Sequence, residues 1–127
     1  MYTIVTSSKS FDQATADLEA AVKRHSFGVL HVHDMGAILR GKGFAFESQV
    51  KIFEVCNPAL ASQMLAADLH INLALPCRIS VFTEAGQTKI GLLLPQFLLS
   101  GITQEPALQQ AAKDVEAQLL QMVEEAR

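Results

Sequence analysis

Apolar and polar residues alternate along some stretches of this chain and recur at helical spacing along others. The two periods divide it into elements. Ile4 and Val5 among threonines make Tyr2–Ser7 a first strand. Phe11, Ala14, Leu18, Ala21 and Val22 share one face at helical spacing, which predicts an amphipathic helix. Ser10 and Gln13 read as a capping box at its start, with the Gln13 side chain reaching back to the Ser10 backbone. Asp12 in the first turn and Lys23, Arg24 and His25 in the last suit the helix dipole, and Gly28 marks the exit. Val29–Asp34 predicts a second strand, with Leu30 and Val32 on one face and Val29, His31 and His33 on the other. Met35–Leu39 is a short helical turn, and Gly41-Lys42-Gly43 a flexible loop.

Val50–Cys56 is the third strand, with Phe53 and Val55 on one face and Val50, Ile52, Glu54 and Cys56 on the other. Asn57-Pro58 ends it and opens a short helix carrying Leu60, Met64 and Leu65. Arg78–Thr83 is the fourth strand, launched by Pro76-Cys77. Glu84-Ala85-Gly86-Gln87 is a hairpin turn, with Gly86 free to take positive φ. Thr88–Leu94 is the fifth strand, stopped by Pro95, and Gln96–Ile102 reads as an apolar connection. Pro106 then starts a last helix, with Leu108, Ala111, Ala112, Val115, Leu119, Met122 and Val123 along one stripe.

Long helices near each end with the strands clustered between them predict an α+β fold. The expected sheet is mostly antiparallel and five-stranded, with two long helices on one face and a short helix between strands three and four. A parallel sheet would need a crossover helix after nearly every strand, which this chain lacks.

These residues resemble the DUF302 family. The resemblance is carried in order by SFDQA after the first strand, SFGVLHVHDM, GKGF, IFEVCNPALASQMLAAD, and LPCRISVF with its following hairpin. CNP-x-LA and LPCR are its most specific parts, and it spans 1–127 as a single domain. It implies a β-α-β4-α fold of the TATA-box-binding-protein-like class, a homodimer, and an activity still unassigned. Leu92–Leu99, LLLPQFLL, is more apolar than the resemblance leads one to expect.

The 127 residues are 50% hydrophobic, ample for a core, and a chain of this length is expected to form one domain. A net charge of −3 with scattered basic residues argues against nucleic acid as a partner. No apolar run is long enough to span a membrane, and MYTIVTSS lacks the basic and apolar regions of a secretory signal. A cytoplasmic location is therefore expected, with the two cysteines as free thiols.

Three constellations carry possible chemistry. If strands three and four are antiparallel neighbours, Cys56 and Cys77 lie at one edge of the sheet. The readings open to them are two small buried hydrophobes, a redox pair, or a reactive thiol beside Arg78, whose charge favours thiolate. Cys77 shares its face with Ile79 and Val81, so it is expected to be the buried thiol and Cys56 the accessible one. His31, His33, Glu54 and Cys56 share one sheet face and are ligand types for a metal such as zinc. Asn57 and Arg78, with Lys42 between its glycines, are candidate ligand-binding residues. Asp34, Arg40 and Lys42 form a loop charge cluster of little energetic weight. No Ser-His-Asp order, nucleotide fingerprint or carboxylate pair is present, and no cofactor is expected. The leading expectation is a homodimeric binding module for a small molecule or protein partner. A thiol enzyme and a metal-binding protein are the alternatives.

Overall fold

Most elements of the computed structural model, which describes residues 1–127, begin where the chain supplies a cap, a turn or a proline. β1 (Tyr2–Ser7) leads to α1 (Phe11–Arg24), where Ser10 Oγ accepts the Gln13 backbone N–H at 3.1 Å. The reciprocal half of the expected capping box is absent: Gln13 Nε2 donates to Asp17 Oδ1 at 2.8 Å instead. At the end of α1, Ser26 takes a left-handed φ of 61°, and the Phe27 N–H donates to the Val22 carbonyl at 3.1 Å. The exit is thus a Schellman turn on Ser26, and Gly28 is already in the next strand.

β2 (Gly28–Asp34) pairs antiparallel with β3 (Val50–Cys56). Its register shifts between Val29, opposite Val55, and His31, opposite Glu54, leaving Leu30 as the extra residue of a bulge. This corrects the simple alternation expected of β2. Val29 and Val32 pack on the core, while Leu30 is exposed. Between these strands, α2 (Met35–Gly41) starts on Asp34, whose Oδ1 accepts the Ala37 N–H at 2.9 Å.

After β3, Asn57 caps α3 (Pro58–Ala67), its Oδ1 accepting the Leu60 N–H at 3.2 Å. A 3₁₀ segment (Leu69–Ala74) follows, and the Leu75–Pro76 peptide is cis. β4 (Cys77–Glu84) and β5 (Gln87–Leu93) form a hairpin with positive φ at both Ala85 (52°) and Gly86 (77°). The stretch expected as an apolar connection folds as α4 (Pro95–Ser100), and α5 (Pro106–Ala126) closes the chain.

The five strands run in the order β1-β5-β4-β3-β2, and every pair is antiparallel. α1 and α5 lie against each other across one face. Phe53, Val55, Ile79, Val81 and Ile90 meet Leu18, Val22, Leu119 and Met122 there, all fully buried. Burying such a side chain stabilises the fold by roughly 1.5–3 kcal/mol. A second cluster of Met64, Ile71, Leu99, Leu108 and Ala112 ties α3, the 3₁₀ segment and α4 to the start of α5. The opposite sheet face has no helix over it. Tyr2, Ile4 and Leu93 are exposed there, and a Cβ placed on Gly91 would lie 3.5 Å from Ile4 and 3.6 Å from Phe82.

Candidate ligand-binding site

The two apolar clusters do not meet completely. Between them, at the end of the sheet where β3 stops and β4 starts, lies a cavity of about 550 Å³. That volume falls within the range of small-molecule sites. Of its 22 lining residues 16 are hydrophobic, so the space favours an apolar occupant. Met64 of α3, Leu99 of α4 and Val115 of α5 form part of the helical wall. Val55 and Cys77, directly opposed in the β3–β4 ladder, stand on the sheet side.

Polar groups enter the lining through His33, Glu54, Asn57 and Arg78. Glu54 and Arg78 are register partners on β3 and β4, and the Glu54 carboxylate bonds the His33 ring. That bond, with the nearby charges of His33, Arg78 and His31, holds the Glu54 carboxyl below its ordinary pKa against a smaller opposing effect of burial. Arg78 takes part in none of the seven salt bridges of the chain and is exposed. It also borders the open sheet face, so the cavity and that face meet at its side chain.

Both cysteines are free thiols, and both line this cavity. Antiparallel pairing of β3 and β4 brings them to one edge of the sheet. Burial pushes the Cys77 thiol up to about 11, with a smaller contribution from Cys56. Burial raises the Cys56 thiol as well. The thiolate-favouring influence expected of Arg78 is not seen at either sulfur, where burial raises the thiol.

The structure separates other residues that the sequence grouped. His31 and His33 do share the face of Glu54, their rings edge to face at 4.4 Å. Yet no three His, Cys, Asp or Glu side chains come together as a metal site. Cys56 lies at the cavity, and His31 is not in its lining.

Lys42 is not among the lining residues of the cavity either. Its backbone N–H donates to Ile38 and Leu39 carbonyls at 3.2 Å, and those of Gly43 and Phe44 are bonded too. The glycine–lysine loop is a helix end whose backbone donors are occupied. Asp34 and Arg40 are likewise committed, Asp34 as the α2 cap and Arg40 to the Phe46 carbonyl at 2.9 Å and the Ser48 carbonyl at 3.3 Å.

Asn57, Arg78, Cys56, Cys77, Glu54 and His33 are thus brought together. Sequence reasoning missed the helical wall. Met64 and Val115 were legible as core-stripe residues, but nothing local showed that α3, α4 and α5 leave a space between them.

Fold and site together define an α+β protein with an antiparallel five-stranded sheet, two long helices across one face, and an apolar cavity at one end. The chain belongs to the DUF302 family, described as "Domain of unknown function DUF302", whose model matches residues 3–126. It is similar to the crystal structure of an uncharacterized conserved protein DUF302 from Bacillus stearothermophilus, with 34% identity and a TM-score of 0.92 over 99% of this chain and 98% of that one. No curated protein matches the chain. Its biochemical function is unassigned. No helix is long and apolar enough to cross a membrane.

Proposed function

We propose that this protein is a binding module that holds a small, largely apolar molecule in the cavity between β3, β4, α3, α4 and α5, and that it acts as a cytoplasmic homodimer. The carrying observation is the cavity itself: about 550 Å³, with 16 of 22 lining residues hydrophobic and a few polar groups among them. An apolar body and one polar end is what such a lining suits. The homodimer reading rests on the open sheet face, where Tyr2, Ile4 and Leu93 are solvent-exposed beside Phe82 and Ile52. Free thiols at Cys56 and Cys77 suit a reducing compartment.

Thiol catalysis at Cys56 or Cys77 has less support, because both sulfurs favour the protonated form and thiolate is the nucleophile. A metal site on His31, His33 and Glu54 has less support as well, since the three do not gather around a common point.

An Ala61→Phe variant tests the cavity reading, because Ala61 lies on the wall and an aromatic ring there fills the space. Nile red is expected to bind the parent protein and to lose binding in the folded variant. Equal dye binding by both would contradict the cavity as the site.

A further inference from the structure

We infer that the cavity takes a monocarboxylate with an aliphatic tail, its head held by Arg78 and Asn57 and its tail between α3, α4 and α5. The inference deepens the cavity reading and rests on it.

Two groups in the cavity lining have hydrogen-bond donors left over. Arg78 has a guanidinium with no ion pair, although Glu54 is its register partner. Glu54 is turned to His33, which leaves the Arg78 donors free for another acceptor. Asn57 uses its carbonyl Oδ1 to cap α3, so its Nδ2 donors are also unspent. Both residues line the same cavity. A guanidinium and an amide N–H pair can both donate to a carboxylate, whose plane matches the guanidinium fork.

The charge of the head follows from its surroundings. The Glu54 carboxylate is held ionised beside the cavity. The one free cation neutralises a ligand of a single negative charge, whereas a phosphate dianion would leave its second charge unpaired near the Glu54 carboxylate. A cationic head would find Arg78 in its way.

The tail follows from the remainder of the lining. Leu60, Met64, Leu98, Leu99, Ile102 and Val115 offer only hydrocarbon and thioether. No buried side-chain polar atom is left without a partner, so nothing in that wall asks for a polar group on the tail.

Calorimetric titration of the full chain with hexanoate, octanoate and decanoate, below their micelle concentrations, tests this. Affinity is expected to rise about fourfold with each added CH₂ while the tail still fits. Decanoate is expected to bind roughly tenfold tighter than decanol at low salt, the worth of a charge-assisted hydrogen bond. That margin should shrink as salt is added. It should vanish in Arg78→Gln and return in part in Arg78→Lys, with melting curves showing both variants folded. Decanol or decylamine matching decanoate, or an undiminished margin in Arg78→Gln, would overturn the anionic head while the cavity reading stands. Decyl phosphate binding tighter than decanoate would overturn the single charge. No binding by any of these compounds, with Ala61→Phe taking up Nile red like the parent, would overturn the cavity reading and this inference together.

Discussion

Val55 and Cys77 face each other across the β3–β4 ladder, and both stand on the cavity wall. Cys77 is therefore walled in by apolar groups, and its pKa of about 11 follows from the lost hydration of the thiolate. Alkylation of the native protein near pH 8 is expected to label Cys56 first. Cys77→Ser should cost on the order of 1–3 kcal/mol if its hydroxyl stays unpaired, and Cys56→Ser less. The sign of the pH effect is fixed. An acid whose folded pKa is raised stays protonated in the folded chain while the unfolded chain loses its proton. Stability should therefore fall as pH rises from about 9 through 11, by up to about 2–3 kcal/mol. Denaturant unfolding of the parent and Cys77→Ala across that range should show a shallower fall in the variant.

Ser26 and Ala85 both occupy the left-handed region, with φ of 61° and 52°. A side chain there costs about 1 kcal/mol relative to glycine. Ser26→Gly and Ala85→Gly should each raise stability by roughly 0.5–1 kcal/mol, less the entropy glycine adds to the unfolded chain. Thermal melts of the single and double variants check this. The sites are far apart in the fold, so the gains should add.

Glu125 near the end of α5 accepts from Arg24 at 3.0 Å and bonds His25, both at the end of α1. The hydrogen bond with His25 is the larger cause that lowers its carboxyl pKa, and Arg24 follows. A lowered folded pKa means that the contribution is present above the unfolded carboxylate value and lost as pH falls through the folded one. Glu125→Gln should thus destabilise the protein at neutral pH and converge with the parent in acid. Urea unfolding at a series of pH values reads this directly. The pair is exposed, so its effect should weaken in salt.

The open sheet face carries the dimer proposal. Phe82→Glu places a charge beside Ile4 and Gly91 without entering the helical core. Sedimentation velocity at micromolar concentration should show a dimer for the parent and a monomer for this variant. A parent that sediments as a monomer would count against the dimer.

The elements with local signals were legible in the sequence. Ser10 and Asn57 stand at helix starts because their side chains bond the next turn, and the period of α5 placed six stripe residues inside. Antiparallel pairing of β3 and β4 puts Cys56 and Cys77 at one end of the sheet, as the element order led one to expect. Leu30 was not legible as a bulge, because alternation counts residues and cannot see one left unpaired. α4 was hidden because Pro95, Leu98 and Leu99 are apolar in a six-residue helix too short to show a period. The cavity was hidden for a different reason. Its lining runs from Phe27 to Val115, mostly on β3, β4 and three helices, and the gap between them is a property of packing that no single stretch records.

The most direct test of the central claim is methyl-resolved NMR of the protein titrated with cyclohexane, an apolar probe with no charge to steer it. A ligand cavity predicts that shifts concentrate at Leu60, Met64, Leu99, Ile102 and Val115 and saturate at one probe per chain. Shifts confined instead to Ile4 and Ile52 on the open sheet face, with the cavity methyls unmoved, would contradict it.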